Sequence, residues 1–387
     1  MAATGGGRGM AQILVLHNTL NSTGGEERVC LNTIECLEEA GHEVVLGTAD
    51  KTDWQRVERH FGRKVMVDGE LALLPFRLGA FGIYARLMTG LIALRLRGEV
   101  DLIINTHGDV IPAPADITYV HYPLPALMVE SPETFFKYQR NLFWRLYYTP
   151  YGLLQGGSRL IFKGGLLLTN SSYSREAIWR WLRKRAVVVY PPVDVESFVF
   201  SARRKEDLVL TVSRLTPEKG LHLIPHIARR VPEAHFVIAG ATQKGSAALI
   251  ARLGHLCDRL GVRNVEVRPD ISFTELRELY AKARILLHTM VGEHFGISVV
   301  EGMASGCVPV VHRSGGPWTD IVKDGEYGFG YDTIHEAADT IRALIASDLT
   351  EMSRRAIVRA QEFSEQRFKE RMRGVVAAVL AARDKGP

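Results

Sequence analysis

Short apolar runs alternate with longer amphipathic stretches along most of the chain. In the first half, the apolar runs cover residues 12–18, 42–48, 101–107, 117–122, 165–170 and 186–190. Apolar runs of this length, bounded by polar residues and glycine, are typical of strands buried in a parallel sheet. Residues 26–40 have the spacing of an amphipathic helix, so the chain is predicted to open with a strand–helix–strand unit.

The same alternation starts again after two consecutive prolines. Pro191 and Pro192 interrupt the pattern, because proline lacks the N–H group that strand ladders and helices need. Beyond them, the predicted strands cover residues 207–215, 235–240, 265–269, 284–288 and 308–312, and the predicted helices cover residues 219–230, 246–260, 274–283 and 295–305. We therefore predict two doubly wound α/β domains, followed by a long helical pattern at residues 349–383.

Composition limits the class of protein. The 387 residues are 46% hydrophobic and 24% charged, which suits a globular chain with two cores. There is no run of eighteen apolar residues, and the first residues lack the apolar region of a signal peptide, so we expect a cytoplasmic protein. The four cysteines have neither metal-binding nor redox spacing. A net charge of +5 suits an anionic ligand without identifying it.

Two glutamates bracket the most informative motif. Glu293 precedes a predicted helix and Glu301 lies about two turns into it, so each carboxylate is predicted to meet a different part of one ligand. Phe295, Gly296 and Ile297 open that helix, and the N–H groups of a helix start attract phosphate. A sugar nucleotide has both the hydroxyl groups and the diphosphate that this layout would bind. The alternative is a surface helix with two solvated carboxylates.

Two further loops carry candidate phosphate ligands. Arg214 and Lys219 lie on a strand-to-helix loop, where a guanidinium fork and a mobile ammonium can neutralise a diphosphate. Gly24 and Gly25 follow the first strand, and glycines there allow a close approach between the backbone and a ligand. By themselves, the first pair could be solvated surface cations and the second pair a tight turn.

These segments resemble the donor site of the retaining glycosyltransferases of family 4. The resemblance rests on HTMVGEHFGISVVEGMASG and HRSGGPWTDIV, and on STGGEERV, YVHYP, LLTNSSYSREAIW and VVYPPVDVESF. It implies the GT-B fold, in which two Rossmann-like domains face a cleft. Residues 1–190 would form the acceptor domain, with residues 365–387 packing back on it, and residues 191–364 would form the nucleotide-sugar donor domain.

Within that family, the segments are most similar to α-1,2-mannosyltransferases that extend the dolichol-linked oligosaccharide in protein N-glycosylation. The resemblance implies a hexosyltransferase that uses a nucleotide sugar, GDP-mannose above all, and a polyprenyl- or dolichyl-diphosphate oligosaccharide as acceptor. It also implies a metal-independent site without a cofactor, because Arg214, Lys219 and the helix dipole replace Mg²⁺. The donor ligands would be these two residues together with Gly24, Gly25, His294, Phe295, Gly296, Ile297 and Glu301.

Two residues are the catalytic candidates. Glu293 would hold the hydroxyl groups of the transferred sugar. His121 ends an apolar strand and is therefore expected at the cleft edge, and the resemblance places it near the same sugar. A structural histidine remains the alternative for His121. A metal site formed by His107, His288 and His294 is disfavoured, because neither cysteine nor carboxylate joins them at a known spacing.

Residues 73–98 raise the question of lipid contact. They combine apolar residues with four arginines, Arg77, Arg86, Arg95 and Arg97, and lack acidic residues until the end of the stretch. Such a stretch suits peripheral binding to a membrane surface, and equally suits helices whose apolar face lies in the core. Nucleic acid is not expected as a partner, since no motif accompanies the basic residues.

Three alternatives to this function remain open from the sequence. The enzyme could transfer a sugar from a UDP-sugar to another glycan or glycolipid. The chain could be a nucleotide-sugar epimerase of the same fold, or a non-catalytic subunit that binds a sugar nucleotide. The presence of both Glu293 and Lys219 disfavours the non-catalytic subunit.

Overall fold

The computed structural model describes residues 10–22, 24–76, 82–108, 113–130, 165–198 and 205–384, with residues 142, 145, 146, 148–150 and 153. The chain forms two compact units. The first unit comprises Met1–Pro192 and Phe368–Pro387, and the second comprises Val193–Arg367. Each unit is a parallel sheet with helices, as the alternating pattern predicts.

The first unit contains a seven-stranded sheet in the order β3-β2-β1-β4-β5-β6-β7, with every described pairing parallel. Its strands are β1 Gln12–Leu16, β2 Glu43–Asp50, β3 Gly69–Leu74, β4 Leu102–Asn105, β5 Ile117–Val120, β6 Leu166–Thr169 and β7 Ala186–Val188. Its helices are α1 Gly25–Glu39, α2 Trp54–Phe61, α3 Gly82–Leu96, α4 Leu124–Glu130 and α5 Ser172–Leu182. The order β3-β2-β1-β4 reverses direction between β1 and β4, as it does in Rossmann folds.

The second unit contains a six-stranded parallel sheet in the order β10-β9-β8-β11-β12-β13. Its strands are β8 Glu206–Val212, β9 His235–Gly240, β10 Val265–Pro269, β11 Ala283–His288, β12 Val308–His312 and β13 Phe329–Tyr331. Its helices are α6 Ile224–Ala228, α7 Ser246–Leu260, α8 Phe273–Lys282, α9 Ile297–Ala304, α10 Ile334–Ile345 and α11 Thr350–Ala360. The reversal lies between β8 and β11, so both sheets have the same topology.

Two predicted helices differ from what forms. The helix expected at residues 219–230 is two 3-10 turns followed by the short α6, because Gly220 adopts a left-handed conformation with φ of 66°. The pattern at residues 349–383 forms α11, a 3-10 turn and a second helix, α12, at Glu365–Asp384.

Helix α12 packs its apolar face on the core of the first unit. The residues that do so recur every four positions, at Phe368, Met372, Val376 and Leu380. Side chains at this spacing share one helix face, so the last helix adds a continuous apolar stripe to the sheet of the first unit.

The residue 73–98 segment contributes to β3 and forms α3, and it has two apolar faces. Ile92 and Ala93 are buried in the core, whereas Met88, Leu91 and Leu94 are about half exposed. Arg77 lies outside the described residues, and the side chain of Arg86 is not described. The prediction that this stretch packs in the core is therefore confirmed for one face of α3. The other face carries apolar side chains that are exposed to solvent.

Candidate active site

The loop before α9 is held by backbone packing that only glycine permits. A Cβ atom on Gly315 would lie 2.3 Å from the carbonyl oxygen of Glu293, and one on Gly316 would lie 2.4 Å from that of His294. Gly316 N–H donates to the carbonyl oxygen of Glu293 at 2.8 Å. The SGGP segment thus forms a close-fitting support beneath the EHFG loop, and a larger residue there would displace Glu293.

Lys219 and Glu293 form a nearly buried ion pair. Lys219 Nζ lies 2.5 Å from Glu293 Oε2, and the two side chains are 12% and 15% exposed. The loop that carries Lys219 lies against the end of β11, where Thr289 donates its hydroxyl to the carbonyl oxygen of Lys219 at 2.7 Å. A Cβ atom on Gly220 would lie 2.6 Å from the carbonyl oxygen of Thr289, so this contact also requires glycine. The sequence assigned the two residues to different parts of the ligand, but the structure joins them.

The pair determines the charge of Glu293. Burial by itself would raise the pKa of this carboxyl group, but the Lys219 ammonium and His288 more than offset burial and hold the pKa well below its usual range. Glu293 is therefore a carboxylate at neutral pH. A permanent carboxylate can accept hydrogen bonds from sugar hydroxyl groups and stabilise nearby positive charge.

His288 is a residue that sequence reasoning missed as part of this site. It ends β11, is 7% exposed, and places Nε2 3.5 Å from Glu293 Oε2. The sequence could have indicated this residue, because His288 lies at the carboxyl end of a central strand, five residues before Glu293. Ligands bind at that edge of an open α/β sheet.

The start of α9 offers backbone N–H groups without a side-chain cap. Gly296 precedes the helix with φ of 103° and has no side chain that could cap it, and the first turn contains Ile297 but no acidic residue. The Phe295 side chain is 3% exposed and packs on Phe363, so it belongs to the core rather than to a ligand site. His294 donates its N–H to Glu293 Oε1 at 3.2 Å. This helix start is electrostatically suited to an anion.

Arg214 lies at the exposed edge of the same region. Its side chain is 56% exposed and makes a long ion-pair contact of 3.9 Å with Glu218. Exposed pairs at this separation contribute little to stability. Arg214 therefore keeps its guanidinium available for a phosphate group.

Glu301 lies inside the protein rather than on its surface. It is 6% exposed, and the hydroxyl of Tyr280 donates to its Oε2 at 3.0 Å. Tyr280 is fully buried and comes from α8. The sequence suggested a role for Glu301 but gave no reason to select Tyr280, because a buried tyrosine on a helix is usually a core residue. Its hydroxyl fixes one carboxylate oxygen of Glu301.

The glycine loop of the first unit lies beside carboxylates of its own chain. A Cβ atom on Gly24 would lie 2.8 Å from Glu27 Oε2, so the close approach that glycine permits is made by a carboxylate of the protein. Gly25 is the first residue of α1, and Glu26 and Glu27 occupy its first turn. Carboxylates at a helix start compensate the helix dipole, and the phosphate contact predicted for Gly24 and Gly25 stays a prediction.

His121 follows β5 in the first unit and has a defined ring orientation. Its Nε2 lies 3.0 Å from the carbonyl oxygen of Thr106, and a carbonyl can only accept, so Nε2 carries the proton. In the neutral ring, Nδ1 is then an acceptor. The hydroxyl of Ser174 donates to the carbonyl oxygen of His121 at 3.2 Å, which leaves the ring as the more available group for a ligand.

The structure thus gathers Lys219, Glu293, His294 and the start of α9 at one edge of the second sheet, with Glu301 buried in the same helix. Gly24, Gly25 and His121 lie in the first unit. In the described part of the chain, no group of three histidine, cysteine or carboxylate side chains is arranged to hold a metal ion. The metal hypothesis for His107, His288 and His294 gains no support.

Solved structures first identify the class of fold. Anabaena HepE in complex with UDP superposes with a TM-score of 0.70 at 18% identity, over 95% of this chain and 100% of that one. Sucrose-phosphate synthase from Thermosynechococcus elongatus superposes with a TM-score of 0.73 at 16% identity, over 96% and 100%. Two parallel-sheet Rossmann-like units of this kind define the GT-B fold, as the sequence predicted.

Sequence comparison then shows which family the second unit resembles. Residues 193–363, which contain the site around Lys219 and Glu293, match the profile described as glycosyl transferases group 1. This part of the chain is therefore similar to that family.

Curated relatives share the name GDP-Man:Man(3)GlcNAc(2)-PP-Dol alpha-1,2-mannosyltransferase. The Mus musculus protein is 32% identical over 59% of this chain and 50% of its own length. The Dictyostelium discoideum protein is 27% identical over 65% of this chain and 56% of its own length. The chain therefore spans about half the length of the curated relatives it matches.

Proposed function

We propose that the protein is a retaining glycosyltransferase that transfers mannose from GDP-mannose, in α-1,2 linkage, to a lipid-linked oligosaccharide. The observation that carries the proposal is the Lys219–Glu293 ion pair beside the uncapped start of α9. It combines a cation and helix N–H groups for a diphosphate with a carboxylate for sugar hydroxyl groups. In this proposal, the second unit binds the donor and the first unit binds the acceptor.

The proposed chemistry breaks the bond between the sugar C1 and the diphosphate oxygen. Lys219, Arg214 and the start of α9 stabilise the negative charge that develops on the departing diphosphate, so the site is proposed to work without a metal ion. The acceptor oxygen attacks C1 on the same face, and its proton passes to the departing phosphate oxygen. Glu293 holds hydroxyl groups of the transferred sugar near the developing positive charge.

The choice of mannose, GDP and the lipid-linked acceptor follows the names of the curated relatives. A panel of GDP, UDP, ADP and their sugars in a thermal-shift assay tests the donor directly. A ligand at a hundredfold excess over its Kd stabilises the fold by ~2.7 kcal/mol. GDP and GDP-mannose are expected to stabilise most, and a preference for UDP compounds would redirect the proposal to a UDP-sugar.

Product analysis tests the reaction itself. NMR of the product formed from the α-linked donor is expected to show an α-linkage, in the presence of a chelator as well as without it. A β-linkage would contradict the retaining mechanism and the role of Glu293. Turnover of the donor to a sugar with inverted configuration at another carbon would instead favour the epimerase alternative.

Peripheral membrane binding is part of the proposal, because a lipid-linked acceptor is anchored in a bilayer. No helix among the described residues is both long and apolar enough to cross a membrane. The half-exposed Met88, Leu91 and Leu94 on α3 offer an apolar face that could lie at a cytoplasmic membrane surface. Replacement of all three by serine is expected to reduce sedimentation with anionic lipid vesicles. Unchanged sedimentation would exclude this face.

A further inference from the structure

We propose that Met290 is a positioning residue, and that its thioether sulfur orients the Lys219 ammonium toward the departing diphosphate. The inference rests on the proposed function, in which Lys219 stabilises that diphosphate. It adds a neutral side chain to a site whose other members act through charge or through backbone N–H groups.

The backbone of Lys219 is fixed beside Met290, but its side chain needs further contacts. Thr289, which lies between β11 and Met290, donates its hydroxyl to the carbonyl oxygen of Lys219 at 2.7 Å. Gly220 packs so closely on Thr289 that a Cβ atom there would lie 2.6 Å from its carbonyl oxygen. A lysine ammonium is carried on a flexible four-carbon stem, so a fixed backbone does not by itself determine where the ammonium lies.

Two side chains hold the ammonium itself. Lys219 Nζ donates to Met290 Sδ at 3.2 Å and to Glu293 Oε2 at 2.5 Å. In the described part of the chain, no other acceptor lies within hydrogen-bond distance of this nitrogen. An ammonium has three N–H donors, so these two contacts leave one N–H for a ligand. Because two of the three directions are held, the direction of the remaining N–H is held as well.

The sulfur suits this position because it is neutral. A thioether is a weak acceptor without charge, so Met290 orients the ammonium and leaves its charge uncompensated. A second carboxylate at this position would give two negative charges to one ammonium and would repel a diphosphate. A hydrocarbon side chain of the same size would accept no hydrogen bond, and the ammonium would then be held by Glu293 alone.

Substitutions of Met290, followed by steady-state kinetics of GDP-mannose turnover, test the contact. Met290→Leu keeps the side-chain volume and removes the acceptor, so kcat is expected to fall about tenfold while GDP affinity changes less than about threefold. Met290→Gln supplies a neutral oxygen acceptor on a chain of similar length, and it is expected to restore kcat to within about threefold of the wild-type value. Met290→Glu is expected to weaken GDP binding as well, because it adds negative charge.

A double-mutant cycle tests whether Met290 acts through Lys219. In a Lys219→Met background, Met290→Leu is expected to have no further effect on kcat, since the ammonium that it orients is then absent. A purely structural role of Met290 would lower kcat in both backgrounds. An equal loss in both backgrounds would therefore overturn the proposal. Wild-type kcat in Met290→Leu, equally low kcat in Met290→Leu and Met290→Gln, or unchanged GDP affinity in Met290→Glu would overturn it too.

Met303→Leu is the matched control. It makes the same substitution on α9 of the same unit, where Met303 is fully buried. Its kcat and GDP affinity are expected to stay unchanged, and a loss equal to that of Met290→Leu would contradict a specific role of Met290. If the wild-type protein binds GDP and turns over GDP-mannose but Met290→Leu matches it, only the role of Met290 is wrong. A wild-type protein that does neither would overturn the proposed function itself.

Discussion

Helices α1 and α9 each begin after a strand next to the reversal of their own sheet, α1 after β1 and α9 after β11, but they differ in the charge at their starts. Each is preceded by a glycine, Gly24 or Gly296, that provides no side-chain cap. The first turn of α1 contains two glutamates, whereas the first turn of α9 contains none and lies close to the Lys219 ammonium through Glu293. We therefore expect phosphate to bind less well at the start of α1 than at the start of α9.

This difference shows that a glycine before a helix does not by itself identify a phosphate site. From the sequence, Gly24 and Gly296 supported the same interpretation. The residues that follow the glycine determine whether the helix start can bind phosphate. The reason is that helix N–H groups interact with the nearest anionic group, whether it belongs to a ligand or to the protein. In the proposed function, the diphosphate of the donor binds in the second unit.

The largest effect is expected from removal of Lys219. Lys219→Met leaves Glu293 buried without its cation, so we expect turnover to fall on the order of 10² to 10³. The free energy of unfolding should fall by roughly 3–5 kcal/mol, because breaking a buried pair leaves an uncompensated charge. Adding Glu293→Gln to Lys219→Met should restore most of the stability and none of the activity. Recovery of activity in the double variant would contradict the electrostatic role of Lys219.

Glu293→Gln should abolish most turnover while GDP binding stays nearly unchanged, because the diphosphate is proposed to contact Lys219, Arg214 and the start of α9. The difference in stability between the wild-type protein and this variant is also expected to depend on pH. The lowered pKa of Glu293 stabilises the fold above the unfolded-state pKa of the carboxyl group, and that contribution is lost as pH falls through the folded-state pKa. In urea denaturation, the wild-type advantage over Glu293→Gln is expected to be constant from pH 7 to about 5 and to shrink below that. A constant difference down to pH 3 would contradict the charged pair.

Arg214→Ala is expected to lower turnover while leaving the free energy of unfolding nearly unchanged. The side chain is largely exposed, so the free energy of unfolding should change by no more than about 0.5 kcal/mol. Turnover should still fall on the order of 10², since a cation that faces the departing diphosphate acts mainly in the transition state. Steady-state kinetics and thermal melts on the same preparation measure both quantities. Wild-type turnover would remove Arg214 from the donor site.

The smallest effect concerns the buried pair of Tyr280 and Glu301. Tyr280→Phe removes the hydroxyl that fixes Glu301 Oε2, and we expect the KM for donor to rise severalfold with kcat nearly unchanged. Glu301→Ala should raise the same KM further. Tyr119→Phe is the control, because that buried hydroxyl donates to the carbonyl oxygen of Val189 in the first unit. A fall in kcat alone would place Glu301 in the chemistry instead of in donor binding.

Much of the architecture could be predicted because it depends on local patterns. The apolar runs correspond to strands β1, β2 and β4 to β12, and no end is shifted by more than three residues. β3 and β13 were missed. β3 is a partly exposed edge strand in GELALL, and β13 is only three residues long, so neither has a long buried run. The prediction of one helix at residues 219–230 was wrong, because Gly220 adopts a left-handed conformation and interrupts the helix.

The site was only partly predictable, since its members come from separate elements. The motifs selected Lys219, Glu293 and Glu301, but not the ion pair between the first two or the tyrosine that holds the third. Such contacts form where the ends of β8, α8 and β11 meet in the folded unit. The spacing of residues along the sequence does not indicate these contacts. Glu26 and Glu27 were visible in the sequence, and their effect on the Gly24 loop could have been inferred from their position in the first turn.

The central claim is that phosphate binds at the start of α9 and not at the start of α1, and one binding measurement tests it. Ser298→Glu places a carboxylate in the first turn of α9, as Glu26 does in α1. Isothermal titration with GDP is expected to show binding weakened about ten- to a hundredfold in Ser298→Glu, or ~1.4 to 2.7 kcal/mol. Affinity in Glu26→Gln should stay unchanged, and so should that in Thr274→Glu, which adds a carboxylate at the start of α8. Wild-type affinity in Ser298→Glu, or altered affinity in Glu26→Gln, would contradict the account.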